Sequence, residues 1–234
     1  MNKLNNCFSV IGLMAAMVCM LLSGNQAAGQ SFNYGVQIGV GSFNEKWNSE
    51  FFGFTEWKEA KSGLILKGFG ELNHGSLFST RLEIGFLKKG YNTDHVFEHE
   101  GVTYNLPNFS YSYNTLTVGL SEKITFLDSK LQPYIKAGIN FQYVLEPGYK
   151  NRSIFIVSPT GELFPIGGSG PFDGLGWNYG TLHGNLAIGI LFNRWLFLEI
   201  DYNQGLTKAL DKTIMQITER YFGITLGVNI NQLY

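Results

Sequence analysis

Residues 131–145, LQPYIKAGINFQYVL, switch between two chemistries at nearly every step. One parity carries Leu131, Pro133, Ile135, Ala137, Ile139, Phe141, Tyr143 and Leu145. The other carries Gln132, Tyr134, Lys136, Gly138, Asn140 and Gln142. Side chains alternate across a β-strand with a period of two and around a helix with a period of 3.6, so this stretch reads as a strand with one apolar and one polar face. Periodicity does not say which face meets the surroundings. A soluble barrel turns its apolar face inward; a membrane barrel turns it outward.

Seven further segments show the same alternation. Residues 32–41 set Tyr34, Val36, Ile38 and Val40 against Asn33, Gly35, Gln37 and Gly39, and 63–72 set Leu64, Leu66 and Leu72 against Lys67 and Glu71. Residues 77–87 oppose Phe78, Leu82, Ile84 and Phe86 to Ser79, Arg81, Glu83 and Gly85. Residues 111–126 carry Leu116, Val118 and Leu120 against Thr115, Thr117, Gly119 and Ser121. Toward the C-terminus come 179–192, 195–204 and 219–231. Their apolar sets are Leu182, Leu186, Ile188 and Ile190; Leu196, Leu198, Ile200 and Tyr202; and Phe222, Ile224, Leu226, Val228 and Ile230. Eight strands is an even number, and a barrel of that count closes on an interior filled by side chains.

The connections alternate in length. NHGS (73–76), LDSK (127–130) and FNRW (192–195) are short; 42–62, 88–110, 147–178 and 205–218 are long. Short turns at one rim and long loops at the other describe an outer-membrane barrel with its turns in the periplasm. The longest loop holds a hairpin signal of its own, SIFIVSPTGELFPI (153–166), which leaves a ten-stranded count open.

The N-terminus supports export. A lone early charge, Lys3, precedes an apolar run from Cys7 to Leu22, and Ala27 and Gly29 are small residues where a signal peptidase reads them. Residues 1–29 are expected to be a cleaved signal peptide, and 30–234 a single outer-membrane β-barrel domain. The "AMVC" before Cys19 lacks the small residue a lipoprotein signal places ahead of its cysteine. Both cysteines, Cys7 and Cys19, fall within the signal, so the exported domain has no disulfide. No later apolar run approaches the ~20 residues of a membrane helix. Any membrane crossing must therefore be made by a closed barrel. With 17 basic against 18 acidic residues, the charge balance gives no reason to expect a nucleic-acid partner.

The polar parity identifies itself as an interior. It is rich in glycine, which only weakens a solvated strand but leaves room for long side chains crossing a narrow bore. Its charges come in both signs: Lys67, Arg81, Lys123 and Lys136 against Glu71, Glu83, Glu199 and Asp201. Buried charges must be paired, so these eight are expected to form an interior polar network. On the apolar parity, Tyr143, Tyr202, Phe86 and Tyr113 are assigned to the outer rim and Phe78, Phe126 and Phe192 to the inner, where aromatic girdles settle. The fold class is therefore all-β: a closed, antiparallel, up-and-down transmembrane barrel in the outer membrane.

RLEIGFLKKG (81–90), LQPYIKAGINFQY (131–143), LFLEIDYNQGLT (196–207) and YFGITLGVNI (221–230) resemble, in order and spacing, the outer-membrane β-barrel domain family of Bacteroidetes, the PorT-like group. The resemblance spans essentially residues 30–234 and implies an eight-stranded barrel of the OmpA/OmpX kind. It also implies an envelope role connected with type IX protein secretion, with membrane lipid, the barrel-insertion machinery and envelope or secretion proteins as partners. Tyr221, Gly223, Leu226 and Val228, followed by the terminal aromatic Tyr234, are similar to the signal that machinery reads. Asp201 departs from the family, where a basic residue is common.

Candidates for chemistry are few. DHVFEHE (94–100) brings His95 and His99 together with three carboxylates, but with no helical pattern to converge them; a solvated loop is the expectation. His183 lies on the interior parity, where a hydrogen-bonded filler is expected. No nucleophile elbow or phosphate-cradling loop is present. The expectation is a non-enzymatic protein with no cofactor or metal. Two alternatives stay open: a barrel that binds ligand through loop aromatics such as Phe51, Phe52, Phe54 and Trp57, and a soluble exported calyx holding a small apolar ligand.

Overall fold

The computed structural model describes residues 31–49, 54–93, 96–99, 102–105, 109–146, 154–157, 163–166, 178–211 and 216–233. The expected signal peptide, together with His95, Phe51, Phe52 and Tyr234, lies outside them. In chain order the strands are β1 (Ser31–Ser49), β2 (Phe54–Trp57), β3 (Glu59–Asn73), β4 (Phe78–Thr93), β5 (Val96–His99), β6 (Val102–Asn105) and β7 (Phe109–Thr125). They continue with β8 (Leu131–Glu146), β9 (Ile154–Val157), β10 (Leu163–Ile166), β11 (Gly180–Phe192), β12 (Leu196–Gly205), β13 (Leu210–Asp211) and β14 (Gln216–Asn229).

Eight of these are staves of one barrel. The hydrogen-bonded order runs β1, β3, β4, β7, β8, β11, β12, β14, every neighbour antiparallel, and β14 pairs back onto β1 from Gly35–Asn229 to Asn48–Gln216. That last ladder removes both free edges. Side chains of the final turn fasten the seam: Asn231 Nδ2 donates to the Phe32 carbonyl at 2.9 Å, and the Tyr34 amide donates to Asn231 Oδ1 at 3.2 Å. The chain leaves β14 in a single 3₁₀ turn, Ile230–Gln232, where alternation predicts strand to residue 231.

The short connections fall where the sequence puts them. Between β11 and β12 the turn has Asn193 at φ 46° and Arg194 at φ 67°, with the Trp195 amide donating to the Phe192 carbonyl at 3.1 Å. Two successive left-handed residues make the hairpin turn whose twist matches the strands it joins. Asn suits that backbone; Arg194 does not, and it is held by Asn229 Nδ2 on its carbonyl (2.6 Å) and by Asp128 on its guanidinium (3.0 Å).

The long connections differ from expectation. Much of 42–62 and 88–110 is not loop: β1 runs on to Ser49 and β4 to Thr93, and β2 adds to β1 beyond the point where β3 leaves it. These extensions keep the two-residue period, with Phe43, Glu45 and Trp47 turned inward. Their outward residues are polar rather than aliphatic, which conceals the strand from a search for greasy alternation. The hairpin signal at 153–166 forms as β9 paired to β10, yet it adds no staves. It joins β5 and β6 in a separate four-stranded sheet, order β10-β9-β6-β5, and the barrel count stays at eight. His99 lies on strand β5, so no helix converges the histidines of 94–100.

The aliphatic parity faces out. Along β1, Phe32, Tyr34, Val36, Ile38 and Val40 are 45 to 63% exposed while Gln37 is 1% exposed, and the same alternation runs round the barrel. This excludes the calyx, whose apolar side chains would point to the axis. Eight residue steps at ~3.3 Å, tilted by ~40°, give ~20 Å of height between first and last Cα, and side chains extend it toward the ~25 Å apolar band of a membrane barrel.

Glycines on the inward parity make room for rings. A Cβ added at Gly227 would lie 2.1 Å from Phe197 Cζ, and one at Gly189 would lie 2.3 Å from Tyr134 Cζ. At Gly68 on β3 the nearest atom would be 3.9 Å away. Gly227→Val is expected to lower stability by ~1–3 kcal/mol, because the fully buried Phe197 ring has nowhere to go. Gly68→Ala is expected to stay within ~0.5 kcal/mol of the parent. Urea unfolding of the barrel in detergent micelles reads both.

Candidate functional site: the charged bore

The polar faces of the staves converge on the barrel axis, and the side chains stack there in layers. Nearest the short turns, Arg81 on β4 donates from Nε to Glu71 Oε2 on β3 at 2.6 Å, and Lys123 on β7 pairs with the same carboxylate. The Arg81 guanidinium packs against two rings, 4.4 Å from the centre of Phe69 and 5.0 Å from that of Phe197, which meet each other edge to face at 5.5 Å. Phe69, Tyr134, Leu191 and Phe197 form an apolar cluster around it.

Above that layer, Lys136 on β8 donates to Glu83 Oε1 at 2.5 Å and to Glu199 Oε1 at 2.7 Å, bridging β4 and β12 across the axis. Lys67 donates to Glu83 Oε2 at 3.2 Å and stands 3.7 Å from Asp201 Oδ2. Tyr134 donates its hydroxyl to Glu199 at 2.9 Å, and Asn203 donates to Asp201 at 2.7 Å. All eight residues expected to form an interior network are thus in one connected cluster, none more than 4% exposed. Four cations face four carboxylates. Asp201 accepts from Asn203 beside Lys67.

The sequence reading missed a second cluster farther from the turns. Phe43, Ile65, Leu87 and Tyr221 make an apolar layer above the first network. Beyond it, Lys89 donates to Glu219 at 3.0 Å, and His183 Nε2 lies 3.3 Å from the same carboxylate. Tyr113 donates one hydroxyl hydrogen toward two acceptors, Glu219 Oε1 at 2.6 Å and Glu45 Oε1 at 3.0 Å, and Trp47 donates from Nε1 to Glu45 at 3.0 Å. Tyr113 therefore does not belong to the outer aromatic girdle. It shares the parity of Thr115 and Thr117 and points into the bore, where its hydroxyl has buried carboxylates to serve. The available signal was that Glu45 and Lys89 continue the inward parity of their staves into segments read as loop, and that Glu219 lies on the inward parity at the first residue of the segment read as the last strand.

Chemically, both clusters are closed. Every carboxylate, lysine and imidazole in them is buried. Ionic layers alternate with layers of rings, and among the described residues no three side chains converge as metal ligands. The cavity at the turn end, about 220 Å³ and bordered by Asn33, Asn73, Thr125 and Gln132, stops at Glu71 and Lys123. Of the residues resembling an insertion signal, Tyr221 and Gly223 face the bore, while Leu226 and Val228 face outward on β14.

No family model matches the sequence, and no curated protein matches it. Among solved structures the chain is similar to Neisserial surface protein A, at 10% identity over 86% of this chain and 99% of that one, with a TM-score of 0.42. It is also similar to the outer membrane protein OprG of Pseudomonas aeruginosa (10% identity, 86% and 96% covered, TM-score 0.42). A third is Ail, the attachment invasion locus protein of Yersinia pestis (11% identity, 86% and 99% covered, TM-score 0.37). The closed eight-stranded barrel follows from the strand pairing itself.

Lys136→Leu is expected to destabilise the barrel by ~3–5 kcal/mol, because Glu83 and Glu199 would each lose a donor in a site that water does not reach. Adding Glu199→Gln restores the four-to-four logic as three against three and is expected to recover part of the loss. Thermal melts in detergent and the heat-modifiable gel shift measure both variants.

Proposed function

We propose that this chain is a non-enzymatic integral protein of the outer membrane, with a structural role in the envelope or its assembly. The observation that carries the reading is the exterior. From Val40 at 63% through Leu186 and Ile188 at 57% to Phe222 at 56%, the staves present a continuous aliphatic and aromatic belt, whereas soluble monomers rarely expose apolar patches beyond a few hundred Å². Closure satisfies the backbone of every stave, the condition for a sheet in hydrocarbon. Tyr143 with Tyr179, and Tyr202 with Phe222, pack as ring pairs on the outer side of the staves toward the long-loop end, where interfacial aromatics belong.

A structural role is supported by the bore, since its titratable groups are paired to one another and buried. Lipid is the immediate partner, and the insertion machinery is the second, with the outward pair Leu226 and Val228 on the last stave as its contact. Within envelope assembly, the PorT-like resemblance points the proposal to type IX secretion. Loss of cargo export on deleting the gene, restored by the intact chain, would support that route; undiminished export would remove it. A second reading, binding through the outer loops, draws on the four-stranded sheet, which two different connections build together at Asn105–Val157.

The expected behaviour is direct. The purified chain should require detergent, migrate faster on gels unheated than boiled, and show no steady large conductance in a planar bilayer, because eight staves leave no open lumen. Recovery in a soluble periplasmic fraction, or large stable channels, would overturn the proposal.

A further inference from the structure

The exterior changes character abruptly at the long-loop rim. On β1 the outward series passes from Val40 through Ser42 to Asn44 and Lys46; on β14 it passes from Phe222 to Arg220; on β4 from Phe86 to Lys88. On these staves and β3, Glu59 is the one exposed carboxylate among the described residues. The turn rim is different, because there exposed charges of both signs mix and Arg194 pairs with Asp128 at 3.0 Å. Like charge accumulates at one membrane boundary and not at the other.

Within the basic rim, one group is held ready. Arg220 donates from Nε to Asn44 Oδ1 at 2.8 Å, and its Cζ lies 3.4 Å from the centre of the Trp57 ring. The stack and the hydrogen bond fix the guanidinium plane, and neither Nη has a protein acceptor among the described residues. Lys46 stands opposite Trp57 in the β1–β2 ladder and one outward step from Asn44, which is opposite Arg220 in the β1–β14 ladder. Lys46 therefore lies diagonally adjacent to Arg220 on the same face, a separation that long side chains close. Among the described residues Lys46 has no carboxylate partner.

We propose that Arg220, Lys46 and Trp57 form a site for the phosphate of an anionic lipid headgroup in the leaflet next to the long loops. This rests on the membrane reading above, which sets the site at the boundary where the apolar belt ends. A planar guanidinium with two free donors matches two phosphate oxygens, and a nearby ammonium adds a point charge. Stacking on Trp57 removes rotamer freedom before the lipid arrives and gives the sugar or glycerol of a headgroup an apolar surface. The acyl chains then run down the belt past Val40 and Phe222. A loop-bound soluble anion would not need a site on the outward parity at that height; a lipid does.

The test uses the full chain in nonionic detergent, with bound molecules counted by native mass spectrometry. Three probes are added: phosphorylated lipid A, the same lipid after enzymatic dephosphorylation, and glucose 1-phosphate. The phosphorylated lipid is expected to bind the parent at least about tenfold better than either other probe, the size of effect one charge-assisted hydrogen-bond pair carries. Arg220→Gln combined with Lys46→Gln is expected to abolish that preference while leaving the heat-modifiable shift intact. Equal binding of the dephosphorylated lipid, equal binding of glucose 1-phosphate, or an unchanged preference in the double variant would overturn the site. The comparison of probes on the parent needs no variant to fold. A chain that is soluble without detergent would sink the membrane reading itself, a result separable from loss of lipid selectivity.

Discussion

Eight charged side chains are buried in the bore, and the rest of the molecule is arranged so that none of them is alone. An isolated charge in such a place costs several kcal/mol after relaxation, and its partner must therefore be supplied from another stave. Lys136 draws on β4 and β12 together; Arg81 draws on β3 and lies within 3.5 Å of Glu199 on β12. Arg81–Glu71 and Lys67–Glu83 thus tie adjacent staves, while Arg81–Glu199, Lys67–Asp201 and Lys136–Glu199 tie staves that are not neighbours. The network consequently resists both shear of one stave past the next and flattening of the barrel, motions that would separate opposite charges. Such a network is not an efficient source of stability when compared with a well-packed apolar filling. Its value is in specifying one register.

The exterior demands the inverse. There the side chains must be apolar for the height of the belt and polar immediately above it. The two demands meet on every stave with a period of two, and a one-residue slip would place a lysine in the belt and a leucine in the charge layer. Register is therefore over-determined, from inside by ion pairs and from outside by the belt. Glycine reconciles them where they conflict: Gly189 and Gly227 give up a side chain so that the rings of Tyr134 and Phe197, their cross-strand partners, can lie over the neighbouring stave.

The same geometry explains why the protein's proposed work lies outside its barrel. Among the described residues, paired charges and rings fill the bore beyond the turn-end cavity, which stops at Glu71 and Lys123. What remains available is the outer surface, at the lipid boundary and in the sheet built by β5, β6, β9 and β10. Arg220 and Lys46 differ from the interior cations in this respect, since no carboxylate among the described residues neutralises them.

The eight alternating segments, the identity of the inward and outward faces, the short turns and the eight charged interior residues were legible in the sequence, because alternation is a local property that each stave displays alone; whether the 153–166 hairpin added two more staves was decided only by the pairing. The limits of that reading are also physical. Where β1 and β4 continue above the belt, outward residues become polar, the contrast between faces fades, and strand is mistaken for loop. Hence Glu45 and Lys89 escaped notice; Glu219 and Tyr113, within segments read as strand, were missed at the rim, where the contrast between the two faces is weakest. Which lysine meets which glutamate was beyond the sequence altogether: Lys136 and Glu83, 53 residues apart on β8 and β4, meet only when both strands pair with β7 and the sheet curls to bring their side chains together. Composition fixed the charges that had to be paired; closure in three dimensions chose the pairs.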